Sequence, residues 1–214
     1  SRDRLLTENG TSYAYDINGN LTSKTAEATY AWDYENRLVR VETQTGTVLE
    51  HVYDADGNRV QTKVSQSGSS TTTNYLVDAA GGLSHVVAET DSIGTLVALY
   101  VRSADELLEV VRPATGGTWT TRFVYHDGLG SVRALADETG TQTDQRSYEA
   151  FGTENVRAGS DPLAYGFAGE AFDATSKLGY HRARWLDART GRFLGVDPLA
   201  YQQNTPGNVA PEYS

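Results

Sequence analysis

The side chains that could do chemistry in this chain are few and far apart. The four histidines are His51, His85, His126 and His181, and no two of them have the close spacing of a local metal site. The absence of cysteine excludes disulfides, thiolate zinc sites and cysteine nucleophiles. There is also no G-x-S-x-G nucleophile elbow. We therefore expect no metal and no cofactor, and we interpret the histidines as structural.

Two short segments are similar to ligand-binding loops, but their residues do not have the spacing that those loops require. Residues 54–58 read DADGN, but a calcium loop of the helix-loop-helix type needs glycine at its sixth position, where this chain has Arg59. Residues 128–131 (GLGS) lack both the later glycine of a dinucleotide site and the Gly-Lys-Ser/Thr of a phosphate loop. Both segments are better explained as turns between strands.

The overall composition narrows the classes of partner. The chain has 214 residues, which allows one or two domains, and its formal net charge of −10 argues against binding to nucleic acid or anionic membrane. No apolar stretch approaches the roughly 20 residues of a membrane span, and no signal peptide is present. The chain also lacks methionine, so we expect it to be a piece of a longer protein.

The elements that must position any site are predicted to be strands. The chain is rich in tyrosine, valine and threonine, which fit a pleated surface, and its 21 glycines supply turns. The best helical stretch on propensity is residues 104–111 (ADELLEVV). We predict a strand there as well, because Val110 and Val111 are β-branched and Pro113 follows.

An internal repeat organises the first part of the chain. Tyr15, Tyr34 and Tyr53 lie 19 residues apart in two successive steps. The text around them recurs as YAYDINGNL at 13–21, YAWDYENRL at 30–38 and HVYDADGNRV at 51–60. This spacing is too short for a β-α-β unit and predicts a meander of hairpins.

The turn and strand residues of each repeat have structural explanations. Asn18-Gly19 and Asp56-Gly57 predict type I′ turns, which need positive φ at both central residues. A tyrosine followed by aspartate could look like a ligand platform. At this period we interpret the tyrosines as core residues whose hydroxyls find partners at the rim.

These units resemble the YD repeats of the RHS family of bacterial proteins. The second half strengthens the resemblance, because four of its segments are similar, in the same order, to the RHS repeat-associated core domain. They are YHDGLGSVR at 125–133, SYEAFG at 147–152, YGFAGE at 165–170 and GYHRARWLDARTGRFLGVDP at 179–198. The resemblance covers nearly the whole chain, and the last segment is the most specific.

The resemblance implies an all-β architecture. Stacked β-hairpin YD repeats (1–120) would form part of a spiralling sheet or hollow shell, followed by a C-terminal RHS core block (121–198) and an irregular tail (199–214). In the family the shell encloses a toxic C-terminal polypeptide. The implied partners are the remainder of the same polypeptide and secretion-machinery proteins, and the implied location is outside the bacterial cell or at its surface. A piece cut from such a spiral exposes sheet edges, so we expect it to be marginally stable or to associate.

The resemblance also carries an enzymatic alternative, because RHS core domains in several family members cut their own chain by aspartyl-type chemistry. The matching residues here are Asp187 and Asp197, on either side of Gly191, with Arg184 and Arg192 as helpers. Two carboxylates held close share a proton, so that one activates water while the other polarises the scissile carbonyl. The chain departs from the family pattern after Pro198, so we expect no self-cleavage by this piece. A turn-forming role for both aspartates is the alternative.

A third class is a surface adhesin or glycan-binding module. Trp32, Trp119 and Trp185 supply aromatic rings that stack on sugars when exposed. Their alternative role is packing in the core or lining the shell.

Overall fold

The computed structural model describes residues 4–198, and almost all regular structure in them is β-strand. Strands β1 to β15 form one sheet in which each strand pairs with its sequence neighbours, and β16 to β19 form a second sheet. Every pairing is antiparallel. The predicted all-β meander of hairpins is therefore confirmed.

The first sheet comprises β1 (Thr7–Glu8), β2 (Thr11–Tyr15), β3 (Leu21–Lys24), β4 (Ala28–Trp32), β5 (Leu38–Thr43), β6 (Val48–Tyr53), β7 (Arg59–Gln66), β8 (Ser69–Asp78), β9 (His85–Thr90), β10 (Leu96–Ser103), β11 (Glu106–Pro113), β12 (Trp119–His126), β13 (Val132–Ala136), β14 (Gln142–Tyr148) and β15 (Glu154–Gly159). The second comprises β16 (Ala171–Asp173), β17 (Leu178–His181), β18 (Arg184–Asp187) and β19 (Arg192–Phe193). Two short 3-10 turns lie at Thr115–Gly117 and Phe167–Gly169. The strand predicted across residues 104–111 is present as β11 from Glu106 onward, whereas Ala104 and Asp105 lie in the preceding turn.

Aspartate side chains build six of the hairpin turns in the long sheet. In each such turn the Oδ1 atom of the first residue accepts a hydrogen bond from the backbone N–H four residues later. The aspartates that do this are Asp16, Asp33, Asp54, Asp91, Asp127 and Asp137. The side chain thus satisfies backbone donors that would otherwise face solvent, which gives a structural role to the aspartate that follows the aromatic residue in the first three repeats.

The predicted type I′ geometry is wrong. Gly19 and Gly57 have positive φ, at 97° and 85°, but the preceding Asn18 and Asp56 do not. The pairing register shifts beside the first of these turns, between Ala14 and Tyr15. These features define a three-residue loop that ends in a left-handed residue and a bulge. The aspartate hydrogen bonds favour this longer loop. In the second turn, Asp54 Oδ1 accepts from the backbone N–H groups of Asp56 and Asn58, two and four residues later.

The 19-residue tyrosine period is also wrong in phase. The residues that precede the turn aspartates are Tyr15, Trp32 and Tyr53, so the repeat length varies. Tyr34 lies in a turn and is 87% exposed. Tyr15 and Tyr53 are partly buried and donate hydrogen bonds to the Leu5 and Leu38 carbonyls, at 3.0 and 2.8 Å, as expected for core-facing tyrosines with a partner at the rim.

One face of the long sheet is covered by residues 160–198, which we call the closing segment. Its first part inserts Leu163 and Tyr165 into a core formed by β10 to β13, including Tyr100, Val110 and Leu135. Its second part, which contains the second sheet, packs on the early strands. That core combines Tyr30, Leu38, Val41 and Leu49 with Leu178, Trp185 and Leu194. The closing segment therefore runs back along the sheet against the order of the strands.

The opposite, open face of the sheet changes character along its length. On the early strands it carries charged pairs, such as Arg40 with Glu42 and Glu50. On the later strands it exposes apolar side chains, including Leu76, Leu99 and Tyr125. Among the described residues, the continuous core lies on the covered face. The closing segment therefore determines which face of the sheet is buried.

Three further predictions from the sequence concern the domain boundary, the C-terminal tail and membrane spans. The division between residues 120 and 121 falls within β12, inside the continuous sheet. The tail at 199–214 lies outside the described residues. Within residues 4–198, no helix is long and apolar enough to cross a membrane.

Candidate functional site at the closure between the sheets

A buried ion cluster joins the two sheets. The Lys24 ammonium, at the end of β3, lies 2.9 Å from Asp187 Oδ2, at the end of β18, and 3.0 Å from Glu27 Oε1. Arg189 completes the cluster, at 3.0 Å from Asp187 and 2.7 Å from Glu27. The side chains of Lys24 and Asp187 are only 4% and 6% exposed. Each buried charge thus has an opposite partner, as burial of an ion requires.

The pKa values follow from this pairing. Burial alone would raise the pKa of Asp187, but hydrogen bonds from Arg189 and Lys24 hold it below its ordinary value. Burial opposes the charge of Lys24 as well, yet hydrogen bonds to Asp187 and Glu27 raise its pKa. Asp187 is therefore held in its charged form by Arg189 and Lys24, as an ion pair between the two sheets requires.

An aromatic cluster lies beside the ion cluster. The Trp185 ring stacks on His51 with centroids 4.8 Å apart, and the indole N–H donates to the Tyr53 hydroxyl at 3.2 Å. The Arg59 guanidinium lies 4.2 Å from the centroid of Tyr180 and 5.1 Å from that of Trp185. These contacts attach the second sheet, which is part of the closing segment, to β6 and β7 of the long sheet.

His51 is enclosed by this packing. Its Nδ1 is 3.0 Å from Thr62 Oγ1, and its Nε2 is buried without a hydrogen-bond partner among the described residues. Burial, assisted by the charge of Arg59, lowers the pKa of His51 to about 3. The structural interpretation of this histidine agrees with its position in the core.

A second anchor holds the first part of the closing segment. Arg146 on β14 bonds to Asp144 at 2.7 Å and donates to the backbone carbonyls of Asp161, Leu163 and Tyr165, at 3.2, 3.1 and 3.0 Å. Asp144 is 1% exposed, and its other oxygen accepts from Arg157 and from the Asp161 backbone. One guanidinium fork thus fixes three carbonyls of an extended segment, a geometry that lysine cannot reproduce.

The four predicted catalytic residues lie around β18. Arg184 begins this strand and Asp187 ends it, so their Cα atoms are about 10 Å apart at ~3.3 Å per residue. Asp197 forms an ion pair with Arg184, with Nη1 3.0 Å from Oδ2, whereas Asp187 binds Lys24 and Arg189. Arg192 is the ladder partner of Asp187. Both aspartates thus form ion pairs, and the catalytic roles of the four residues stay a prediction.

The sequence interpretation missed Lys24, Glu27 and Arg189. Arg189 follows Asp187 by two residues and could have been proposed as its partner. Lys24 and Glu27 flank the turn between β3 and β4, far from Asp187 in sequence. Only the return of the closing segment along the sheet brings them together.

The tryptophans do not form a common sugar platform. Trp185 is 2% exposed, and Trp32 is partly buried and donates its indole N–H to the Leu21 carbonyl at 2.7 Å. Only Trp119 of the three is exposed, at 54%. The described residues also contain no group of three or more His, Asp or Glu side chains arranged to hold a metal ion.

Comparisons with known proteins agree with this architecture. Residues 1–212 match the family model described as Teneurin YD-shell. The chain is 31% identical to the tRNA nuclease WapA of Bacillus subtilis (strain 168), covering 98% of this chain and 9% of WapA. It is 29% identical to the probable deoxyribonuclease RhsB of Dickeya dadantii (strain 3937), covering 97% of this chain and 16% of RhsB. The chain thus spans a small part of each of these relatives.

A solved structure shares the fold. The pore form of the Tc holotoxin of Photorhabdus luminescens superposes on 86% of this chain, and on 9% of its own, with a TM-score of 0.69. The two sequences are 19% identical, so the likeness is one of fold.

Proposed function

Because this chain belongs to the teneurin YD-shell family, we propose that it is a wall segment of a longer bacterial protein and helps to enclose a toxic polypeptide carried at the C-terminal end of the same chain. The resemblance to RHS proteins is confirmed, since RhsB is among the relatives. One observation carries the proposal. Fifteen strands follow one another without a crossover, and the closing segment returns across one face of them.

This architecture suits a wall for physical reasons. Every internal strand has both edges paired, so the surface is continuous, and a repeat sheet extends by adding hairpins at its ends. The closing segment ties early hairpins to late ones through buried ions and aromatic rings. A sheet tied at both ends in this way resists local opening better than free hairpins do.

The activity of the parent protein is a separate matter. WapA and RhsB are named as nucleases, but this chain spans 9% and 16% of them. A segment with a net charge of −10 is poorly suited to hold nucleic acid. We place any such chemistry in the enclosed polypeptide, and we infer that the parent is exported with the help of secretion proteins.

Limited proteolysis of the full-length parent tests enclosure. We expect the C-terminal polypeptide to resist protease while the wall is intact, and to become sensitive in an Asp187→Leu variant that breaks the buried ion cluster. Glu50→Leu, which removes an exposed charge on the open face, is the matched control and should leave protection unchanged. Equal digestion of the C-terminal polypeptide in all three proteins would overturn enclosure.

Self-cleavage of the parent is the second candidate function. It is supported by the ion pair between Arg184 and Asp197, because a cation beside one of the two carboxylates keeps that carboxylate ionised. Intact mass of the parent tests it. A cut downstream of Ser214 should disappear in Asp197→Asn and persist in Asp173→Asn, a control within the second sheet. A cut that persists in both variants would leave Asp187 and Asp197 with structural roles.

A further inference from the structure

An arginine occupies a core position of the third repeat. The strands that follow the turns of the first three repeats begin with Leu21, Leu38 and Arg59, and each of these residues pairs across the ladder with the aromatic residue before its turn. Leu21 and Leu38 are 5% and 0% exposed, and Arg59 is 8% exposed. The third repeat thus buries a charge where the first two bury an apolar side chain, and a buried charge costs free energy unless it is paired.

The Arg59 guanidinium has no acidic partner. Within residues 4–198 it forms no ion pair with a carboxylate and donates no hydrogen bond. Its neighbours are the rings of Tyr75, Tyr180 and Trp185, whose centroids lie 4.8, 4.2 and 5.1 Å from its central carbon. The face of an aromatic ring attracts a cation but offers no lone pair to the five N–H groups of a guanidinium. These donors therefore need an acceptor from outside the described chain.

A small cavity lies where such an acceptor could bind. It has a volume of about 100 Å³ and is lined by Arg59 on β7, Tyr75 on β8, His85 on β9, and Tyr165 and Tyr180 from the closing segment, among others. The volume is well below the roughly 300–1,000 Å³ of pockets for drug-sized ligands. The cavity therefore suits a small polar group, and an occupant would touch both the long sheet and the closing segment.

The other charges of the cavity limit the charge of its occupant. Arg182 is paired with Glu170, whereas Glu89 and Asp173 form no ion pair within the described part of the chain. These carboxylates would repel an anion with two or more charges, such as phosphate. A carboxylate carries one charge, and its two oxygens match the planar fork of the Arg59 guanidinium.

We propose that Arg59 and this cavity form a binding site for a carboxylate group, which the guanidinium holds between the long sheet and the closing segment. The carboxylate belongs either to a short free monocarboxylate or to an aspartate or glutamate side chain elsewhere in the parent protein. The chemistry of recognition is the same for both sources. The inference does not depend on what the parent protein encloses.

Fluorine NMR of fluoroacetate, a short monocarboxylate, tests the site on the full-length parent. We expect the unaltered parent to broaden the fluoroacetate resonance and Arg59→Leu to abolish the broadening. This variant restores the residue type of the first two repeats, so it should fold. Arg37→Leu is the matched control and should leave the broadening unchanged, because Arg37 belongs to the second repeat and is paired with Asp33 and Glu35.

Competition tests the preference for a carboxylate. Acetate should displace fluoroacetate at a concentration at least about tenfold lower than inorganic phosphate, where ~1.4 kcal/mol of repulsion corresponds to that factor. Phosphate as effective as acetate would overturn the assignment of the ligand. Equal broadening by the unaltered parent and Arg59→Leu, or equal loss of broadening in both variants, would overturn the site itself.

A solved structure of the full-length parent separates the two sources if the unaltered parent does not broaden fluoroacetate. A side-chain carboxylate of the parent about 2.7–2.9 Å from a guanidinium nitrogen of Arg59 would identify an internal ligand that already fills the site. Water molecules alone in the cavity would overturn the proposal.

Discussion

Lys24 and Asp187 are separated by 163 residues in sequence, yet their charged atoms lie 2.9 Å apart with both side chains buried. One residue ends the third strand of the long sheet, and the other ends the third strand of the small sheet. This contact forms because the closing segment returns to the first hairpins of the repeat region. The first hairpins and the last block of the chain therefore form one structural unit.

Breaking this ion cluster should be costly. Asp187→Leu leaves Lys24 and Arg189 with Glu27 as their remaining shared partner, and the loss of one member of a buried pair costs about 3–5 kcal/mol. Glu50→Leu removes a carboxylate 48% exposed and should cost less than about 1 kcal/mol. Urea unfolding measures both values. Similar losses for the two variants would mean that the cluster adds little to the closure.

The stability of the chain should fall with acid because of His51. Its pKa is about 3 when folded and about 6.5 when unfolded, so below pH 6.5 the unfolded chain binds a proton that the folded chain does not. The free energy of unfolding should therefore drop by up to about 1.4 kcal/mol per pH unit from this group between those two values. His51→Asn should reduce the slope by that amount. His85→Asn, at a more accessible position, is the control, and an unchanged slope in His51→Asn would refute the assignment.

Trp185 should be the most important of the three tryptophans for stability. Trp185→Ala removes a ring that is 2% exposed and in contact with His51 and Tyr180, which predicts a loss of about 3–5 kcal/mol. Trp119→Ala removes an exposed ring and should change the stability by about 0.5 kcal/mol at most. Thermal or denaturant unfolding of the two variants decides, and a larger effect at Trp119 would contradict the packing.

Arg146 should not tolerate lysine. Its guanidinium bonds Asp144 and the carbonyls of three residues of the closing segment, whereas lysine has a single ammonium. We expect Arg146→Lys to lose about 2–4 kcal/mol, from buried acceptors left unpaired. Proteolysis near residues 160–166 should accelerate with it. Arg40→Lys on the open face is the control, and equal sensitivity of the two variants would contradict this role.

Two glycines with positive φ should respond differently to alanine. At Gly140 (φ 81°) an added Cβ meets no atom within 4 Å, so Gly140→Ala should cost only the left-handed strain of about 1–2 kcal/mol. At Gly159 (φ 111°) the Cβ would also meet the Thr143 carbonyl oxygen and lie 2.7 Å from Asp144 Cα. Gly159→Ala should therefore cost clearly more, measured by urea unfolding. Equal losses would show that the end of β15 moves freely.

The sequence by itself was sufficient for the class of fold. Aromatic and β-branched strands alternating with turns rich in Asp, Asn and Gly have no good helical alternative, and short connections force neighbouring strands to pair. The resemblance of residues 125–198 to the RHS core domain then indicated the family. These signals depend on residues close together in sequence, so they can be read without knowledge of the tertiary structure.

The sequence did not determine the phase of the repeat or the type of turn. Tyr34 has the spacing of a core tyrosine but lies at a turn tip, because the repeat length varies and the aspartate, not the tyrosine, marks the turn. The type I′ prediction failed because Asp16 and Asp54 bond to backbone amides and favour a longer loop. Side-chain bonds to the backbone override a dipeptide preference here.

Only the tertiary structure decided which charges meet. The sequence around Asp187 contains Arg189, but it gives no sign that Lys24 is also a partner of this aspartate. Asp197 pairs with Arg184, within the same block, whereas Asp187 pairs with Lys24 from the first repeat. The second pairing depends on the path of the closing segment back along the sheet. Neighbouring strands of the sheet are rotated relative to one another, and no local sequence pattern records the accumulated rotation. The physical reason is that Lys24 and Asp187 are buried. Burial removes the solvent that would otherwise screen their charges, so the partner of Asp187 is determined by packing over the length of the sheet.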